Sequence, residues 1–272
     1  MSVNQTTSTY DFSGSLPRHY DDHLGPMFFE PYAVAVANRI NPEEVRLAVE
    51  LAAGTGRVTR HLRSLLMPSA RLIASDISED MLAIAREKLS GQKIEWQMID
   101  AGTLPFDEGS VDLVVCCFGY MFVPDKDRAF SEARRVLRNG GMLIFSTWDS
   151  LENNGASLAY RRIAREYLED PLPECYNLPF SMSDEMQITR RLEQAGFRKL
   201  QLEKLASEAR STSAADAAEG LVQGGLIYNE LMKRNPAWVD EVRERVEKAL
   251  AREFGKAPMV SPMSAVVVRA WK

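Results

Sequence analysis

The sequence predicts an α/β fold, with a mostly parallel sheet, helices on both faces and helical additions after the fifth strand. From Arg46 to Trp148, apolar runs of strand length alternate with segments of 3.6-residue periodicity, the mark of successive βα units. The first strand-to-helix junction carries Gly54-Thr55-Gly56, and the first three strands end on or next to an acid, Glu50, Asp76 and Asp100.

Residues 1–15, "MSVNQTTSTYDFSGS", are polar and poor in aliphatic residues, which predicts a tail or loosely attached lid. Pro26 to Ile40 reads as a leading helix stopped by Asn41-Pro42. "RLAVELA" (46–52) is the first strand, and Val58, Leu62, Leu65 and Leu66 stripe the helix after it. "RLIASD" (71–76) is the second. Ser78 then caps a helix with Glu79 and Asp80 in its first turn, where the helix dipole favours them, and with Met81, Ala85 and Leu89 on one face. "IEWQMID" (94–100) and "SVDLVVCCFG" (110–119) are the third and fourth strands. Asp125 caps a helix through Phe130, Ala133, Val136 and Leu137, expected to stop at Asn139-Gly140-Gly141, and "MLIFSTW" (142–148) is the fifth strand.

Beyond Trp148 the pattern gives a helix from Ala156 to Leu168 and another through Met186, Ile188, Leu192 and Ala195 to Gly196. "KLQLEKLAS" (199–207) and "SAVVVRAW" (264–271) read as strands around a mostly helical stretch, 211–256. The expected organisation is one domain: residues 1–40 a tail and lid helix, 41–150 the ligand-binding core, and 151–272 the rest of the sheet with a helical cap. Aromatic residues and methionines of that cap, Tyr160, Tyr167, Tyr176, Phe180, Met182, Tyr228, Met232 and Trp238, are ordinary core material, but their density fits a chamber for a hydrophobic or aromatic molecule.

A net charge of −5 with 26% charged residues argues against nucleic acid as a partner, since binding phosphates needs clustered Lys and Arg. No apolar run approaches the ~20 residues of a membrane span, and no secretory signal is legible, so no membrane partner and a cytoplasmic location are expected. An odd, sparse count of three cysteines, and three histidines with no CxxC, no HExxH and no other metal-ligand cluster, predict neither a disulfide framework nor a metal site. Adjacent Cys116 and Cys117 lie in an apolar strand with no charged neighbour, and read as small hydrophobes rather than nucleophiles.

Glycines after a first strand let backbone N–H groups approach a ligand closely. A dinucleotide would need a third glycine where Thr59 stands, and Glu50 would repel its pyrophosphate, whereas a carboxylate there attracts an ammonium and a sulfonium. Asp76 is placed to accept from the hydroxyls of a ribose, and Asp100 followed by Ala101 suits an adenine amino group.

These stretches resemble the class I S-adenosylmethionine-dependent methyltransferases, in particular the small-molecule group similar to ubiquinone/menaquinone-biosynthesis enzymes. "LAVELAAGTGRVT" carries the likeness of the first motif, "LIASDISEDMLAIAREKL" the second, "IDAGTLPFDEGSVDLVVCCFG" the adenine loop and fourth strand, and "ARRVLRNGGMLIFSTW" the fifth. The resemblance covers about 45–148 and implies a Rossmann-like seven-stranded sheet whose last strand, "SAVVVRAW", is antiparallel. It also implies that Glu50, Ala52, Gly54 and Gly56 hold the methionine end of S-adenosylmethionine, Asp76 the ribose, and Asp100 with Ala101 the adenine. Ile77 and Met81 would pack on adenine or ribose, and Phe118 would stand beside the reacting sulfur. Ala52 departs from the glycine common at that position.

The implied activity is methyl transfer to a small, hydrophobic or aromatic acceptor, with a homodimer as a compatible assembly. His19, His23 and Tyr20, and Tyr10 near them, are candidates for moving a proton because similar enzymes fold this segment over the site; an exposed or capping role is the alternative. His61 reads as surface or packing. The competing functions are a non-catalytic S-adenosylmethionine-binding regulator or partner subunit, a NAD-dependent oxidoreductase, and a nucleic-acid methyltransferase.

Overall fold

The structure, a computed structural model, describes residue 14 and residues 16–168 and 172–272. Apart from Gly14, the predicted tail lies outside the described residues, Tyr10 included. A seven-stranded sheet organises the rest, in the order β3-β2-β1-β4-β5-β7-β6. Its parallel half is β1 (Leu47–Glu50), β2 (Arg71–Asp76), β3 (Glu95–Met98), β4 (Val111–Cys117) and β5 (Leu137–Trp148). The last strand, β7 (Met259–Trp271), enters antiparallel between β5 and β6 (Lys199–Ser211).

Residues alternate between the two faces of a strand, so each central strand feeds two cores. Val49, Ile73, Val114, Cys116, Phe145 and Val268 point into one, against α5 (Lys126–Val136), α6 (Gly155–Ala164), α8 (Ala214–Gln223) and α10 (Ala237–Phe254). Ala48, Leu72, Leu113, Val115, Ile144 and Val267 point into the other, against α2 (Glu30–Ala37) and α3 (Arg57–Leu65). With both faces covered these strands are apolar throughout, as the sequence shows. The helices α4 (Glu79–Lys88), α7 (Glu185–Gln194) and α9 (Ile227–Arg234) pack around the same sheet. Among the described residues no helix is long and apolar enough to cross a membrane.

The predicted caps form: Ser78 Oγ accepts from the Met81 N–H and Asp125 Oδ1 from the Arg128 N–H. Other boundaries move. The leading helix starts at Leu16 rather than Pro26, as α1 (Leu16–His19), a π-helical stretch Tyr20–Phe29 and α2 in succession, and it ends at Ala37. Pro26 offers no N–H and its ring crowds the preceding turn, so the wider turn, with the Glu30 N–H reaching back to the Gly25 carbonyl, carries the chain past it. At the other end of the parallel half, α5 stops at Val136, not at the glycines. Leu137 is already extended and pairs with Val111, and Gly140, at φ 77°, bends the strand while its N–H bonds to the Lys272 carbonyl. Both β6 and β7 outrun the predicted 199–207 and 264–271, pairing from Lys199↔Trp271 to Ser211↔Met259. Met186, predicted on the inner stripe of α7, is exposed.

Candidate functional site

One cavity of about 320 Å³ opens at the carboxyl ends of the parallel strands, where open α/β sheets bind ligands. Its walls include Ala52, Gly54, Asp76, Ile77, Met81, Asp100, Ala101 and Phe118 of the predicted residues, together with Tyr20. Glu50 and Gly56 stand behind that wall. Gly56, at φ 81°, packs against Ala85 and Leu89 of the second βα unit: a Cβ there would come within 3.1 Å of the Ala85 methyl, so its glycine serves helix-to-helix approach.

Glu50 closes β1 between Ala74 and Val115, and is only 2% exposed. Its Oε2 has no hydrogen-bond partner among the described residues. Burial pushes its pKa up to about 8; Thr59 beside it works the other way, and the nearby Asp76 charge adds to the rise. A buried carboxylate with one oxygen left without a donor is an incomplete arrangement, and a cationic donor completes it.

Asp76, at the end of β2, holds the glycine turn in shape. Its Oδ2 accepts from the Gly54 N–H at 2.8 Å and its Oδ1 from the Ser78 N–H at 2.9 Å. Burial raises its pKa despite these bonds. The Ile77 N–H bonds the carboxylate as well, which leaves it acceptor capacity for a hydroxyl of a ligand. Gly54, at φ 56°, has open space where a Cβ would stand. Asp100 accepts from the Gly102 N–H at 2.7 Å, fixing the loop that presents Ala101, and Ile77, Met81 and Ile99 give this end its apolar surface.

Two non-glycine residues adopt left-handed backbone here, Ala52 at φ 52° and Phe118 at φ 53°. The conformation costs an L-residue roughly 1–2 kcal/mol and gathers at functional sites. The Ala52 methyl faces Gly119, whose missing Cβ would lie 2.5 Å from it and 2.7 Å from Cys116 Sγ. The turned backbone at Phe118 brings its ring onto Trp148, with centroids 4.3 Å apart, and edge-on to Phe29 and Tyr32.

The N-terminal helical run covers this junction. Asp21 accepts from the Thr55 hydroxyl at 2.7 Å and pairs with Lys88 at 2.6 Å and Arg57 at 3.4 Å, while Glu30 holds Arg57, Arg60 and His61. Gly25 lets the run lie directly on the Arg57 guanidinium. Of the three proton-transfer candidates only Tyr20 reaches the cavity wall, and burial pushes its hydroxyl pKa upward. His23 instead bonds Asp216 at 2.7 Å and His19 lies 3.6 Å from Glu219, both tying the run to α8.

Away from the carboxylates the wall turns apolar: Leu24, Phe28, Phe29, Trp148, Tyr160, Phe180, Leu221 and Ile227. Of the predicted cap residues Tyr160 and Phe180 belong here, whereas Tyr167 packs on Trp238 at 5.7 Å, Tyr176 is buried behind the wall, and Met232 is exposed. Cys117 lines the cavity with its thiol pushed up to about 12 by burial, and Cys116 is raised further, so both are neutral hydrophobes. Sequence reasoning missed Asp21, Phe28, Phe29 and Arg161. The Tyr20, Leu24, Phe28 spacing is the one signal that could have exposed the wall-forming face of the N-terminal run.

The methyltransferase domain family matches residues 49–145, the segment holding the three carboxylates and the glycine turn. Curated relatives of this domain include the ubiquinone/menaquinone biosynthesis C-methyltransferase UbiE of Hahella chejuensis, 37% identical over 116 residues, 41% of this chain and 47% of that protein. The demethylmenaquinone methyltransferase of Clavibacter sepedonicus is 32% identical over 148 residues, 53% of this chain and 56% of that protein. The chain thus spans about half the length of the curated relatives it matches. Phosphoethanolamine N-methyltransferase 2 of Haemonchus contortus, solved with S-adenosyl-L-methionine, shares the fold with a TM-score of 0.58 at 15% identity, over 94% of this chain and 56% of that one.

Proposed function

We propose that the chain is an S-adenosylmethionine-dependent methyltransferase acting on a small, hydrophobic or aromatic acceptor. One observation carries the reading: a single cavity joins the strand-end acids Asp76 and Asp100, with the unpartnered Oε2 of Glu50 buried behind its wall, to a chamber walled by aromatic rings. When bound, S-adenosylmethionine supplies an electrophilic methyl on a sulfonium. Glu50 takes its ammonium, and Ala52 and Gly54 carry the methionine end along their backbone. Asp76 accepts from the ribose hydroxyls, Asp100 and Ala101 meet the adenine amino edge, and Ile77 and Met81 pack on the base or sugar. Gly56 acts at one remove, by seating the helix that follows the turn.

Phe118 and Trp148, stacked 4.3 Å apart between the carboxylate end and the chamber, would position the acceptor against the cofactor. Positioning of this kind supplies several kcal/mol of the barrier reduction by removing translational freedom before the reaction. Tyr20 stays protonated and acts as a hydrogen-bond donor at the wall. With the His19 and His23 side chains turned to α8, the acceptor supplies its own acidity, as a phenol or enol does. The ring-bearing substrates named for the quinone-biosynthesis relatives favour the same class.

The test pairs calorimetry with S-adenosylmethionine and an assay for S-adenosylhomocysteine release over phenols, quinols and amines. Binding at micromolar strength with turnover on a phenol or quinol is expected. Binding without product on any acceptor favours a regulator or partner subunit, and binding of NADH in place of S-adenosylmethionine contradicts the proposal.

A further inference from the structure

Arg161 on α6 is the sole Lys or Arg among the described residues that line the cavity. It is 4% exposed, yet no carboxylate of a described residue comes within ion-pair distance of it. Its Nε has no hydrogen-bond partner, its Nη2 donates to Asn177 Oδ1 at 3.2 Å, and the guanidinium lies 4.0 Å over the Tyr176 ring and 5.3 Å from that of Phe180. The groups facing it are Tyr160, Tyr176 and Cys175, all neutral, and burial lowers its pKa; an arginine nonetheless stays protonated. The hydroxyl of the adjacent Tyr160, also on the cavity wall, is buried without a partner too.

A desolvated cation without a counter-charge is unfavourable, and stacking on aromatic faces offsets only part of that. A planar fork of donors beside a free hydroxyl matches a carboxylate, which can take two parallel N–H bonds. The place of the arginine fits a ligand bound through its far end. From the turned backbone of Phe118, rings run by way of Trp148 and Phe180 to Arg161, with centroid separations of 4.3 and 6.5 Å and a last step of 5.3 Å. Asp76 and Asp100, at the ends of β2 and β3, lie on the other side of Phe118 from Trp148, because β4 stands between those strands and β5.

We propose that Arg161, with the Tyr160 hydroxyl, receives a carboxylate carried by the acceptor, so that the substrate class is an aromatic or hydrophobic acid. The proposal rests on the methyl-transfer reading, which makes the occupant of the aromatic chamber the acceptor. It assigns the polar end of that molecule and thereby which way round it enters.

The experiment uses the full chain loaded with S-adenosylhomocysteine, titrated with 2-naphthoate and with 2-naphthamide, a pair that differs in charge but hardly in shape. The native protein is expected to bind the acid at least tenfold more tightly than the amide. Arg161→Gln removes the preference and Arg161→Lys keeps part of it. Arg161→Gln also leaves S-adenosylhomocysteine affinity within twofold and the thermal midpoint no lower, an outcome that a merely structural arginine would not give. Equal binding of acid and amide by the native protein overturns the proposal without recourse to any variant, as does a preference that survives Arg161→Gln. A parallel fall in S-adenosylhomocysteine affinity in Arg161→Gln would assign the arginine to the cofactor carboxylate and overturn it equally. If S-adenosylhomocysteine binds and neither probe does, the aromatic-acceptor reading fails and takes the proposal with it; if S-adenosylhomocysteine itself does not bind, it is the cofactor reading that has failed.

Discussion

The two halves of the cavity are built from different materials. One is strand ends, backbone N–H groups and carboxylates, each fixed by parallel pairing to its neighbours. The other is side-chain surface gathered from the N-terminal helical run, the end of β5, α6, the turn at Phe180 and α8. Charge divides along the same line, with acids at one end and, among the described residues, one buried arginine at the other. The first half can recognise a ligand of fixed chemistry through groups that scarcely move, whereas the second changes its preference with any one of several rings. A methyl-transfer site needs both, because the donor is constant and the acceptor is what distinguishes one such enzyme from another.

Glu50→Gln should separate the halves most strongly. It removes the charge that answers an ammonium, and S-adenosylmethionine affinity should fall by ten- to a hundredfold, in line with the roughly 1.5–3 kcal/mol of a hydrogen bond to a charged group. Naphthoate binding in the chamber should hold. The pH dependence has a defined sign. Between the ordinary carboxylate value of 4.5 and about 8, folded ligand-free protein holds a proton that the unfolded chain has released, so the contribution to stability falls as pH rises through that window. Cofactor binding runs the other way, strengthening up to about pH 8 as Glu50 ionises. Calorimetry and thermal melts on the native chain and Glu50→Gln from pH 5 to 9 read both slopes, and Glu50→Gln should flatten each.

Asp76→Asn comes next. The amide leaves one of the two N–H groups, at Gly54 or Ser78, facing another donor, so a loss of about 1–3 kcal/mol in stability and about tenfold in cofactor affinity is expected from denaturation and titration. Asp21→Ala releases Thr55, Arg57 and Lys88 together. It should speed amide exchange over residues 16–29 and weaken cofactor binding only several-fold, since the run covers the glycine turn without forming it.

The carboxylate half was legible in the sequence because its signals are local: an acid at a strand end, glycines four and six residues after Glu50, Ser78 two residues after Asp76. The chamber was legible only in outline: the density of aromatic residues after β5 pointed to it, and Tyr160 and Phe180 do line it, but the other residues of that group do not. Arg161 looks like any arginine on a helix until burial and the lack of a counter-charge among the described residues single it out, and Asp21 gains its meaning from residues more than thirty positions away. The same limit explains the boundaries that moved. Leu137 fits a helical stripe as well as a strand, and its pairing with Val111 decides between them. The outer ends of β6 and β7 alternate in burial with polar residues and are held by each other. His19 and His23 had the right chemistry for a proton, and α8 supplies the carboxylates that engage them.

Ala52→Gly carries the smallest effect. Relief of left-handed backbone at φ 52° is set against the extra freedom of glycine in the unfolded chain, so the melting point should rise by no more than a few degrees and cofactor affinity should shift less than threefold. Gly119→Ala sharpens this: its methyl would collide with Ala52 and Cys116, and Ala52→Gly should rescue part, though not all, of the lost stability.

The most direct test is a crystal structure of the chain with S-adenosylhomocysteine. The amino group is predicted within hydrogen-bond reach of Glu50 Oε2, the ribose hydroxyls on Asp76, adenine against Ala101 and Met81, and the sulfur facing the Phe118 and Trp148 rings. Adenosine lodged among Phe28, Phe180 and Arg161, with Glu50 Oε2 still unpartnered, would contradict the division of the cavity into a donor half and an acceptor half.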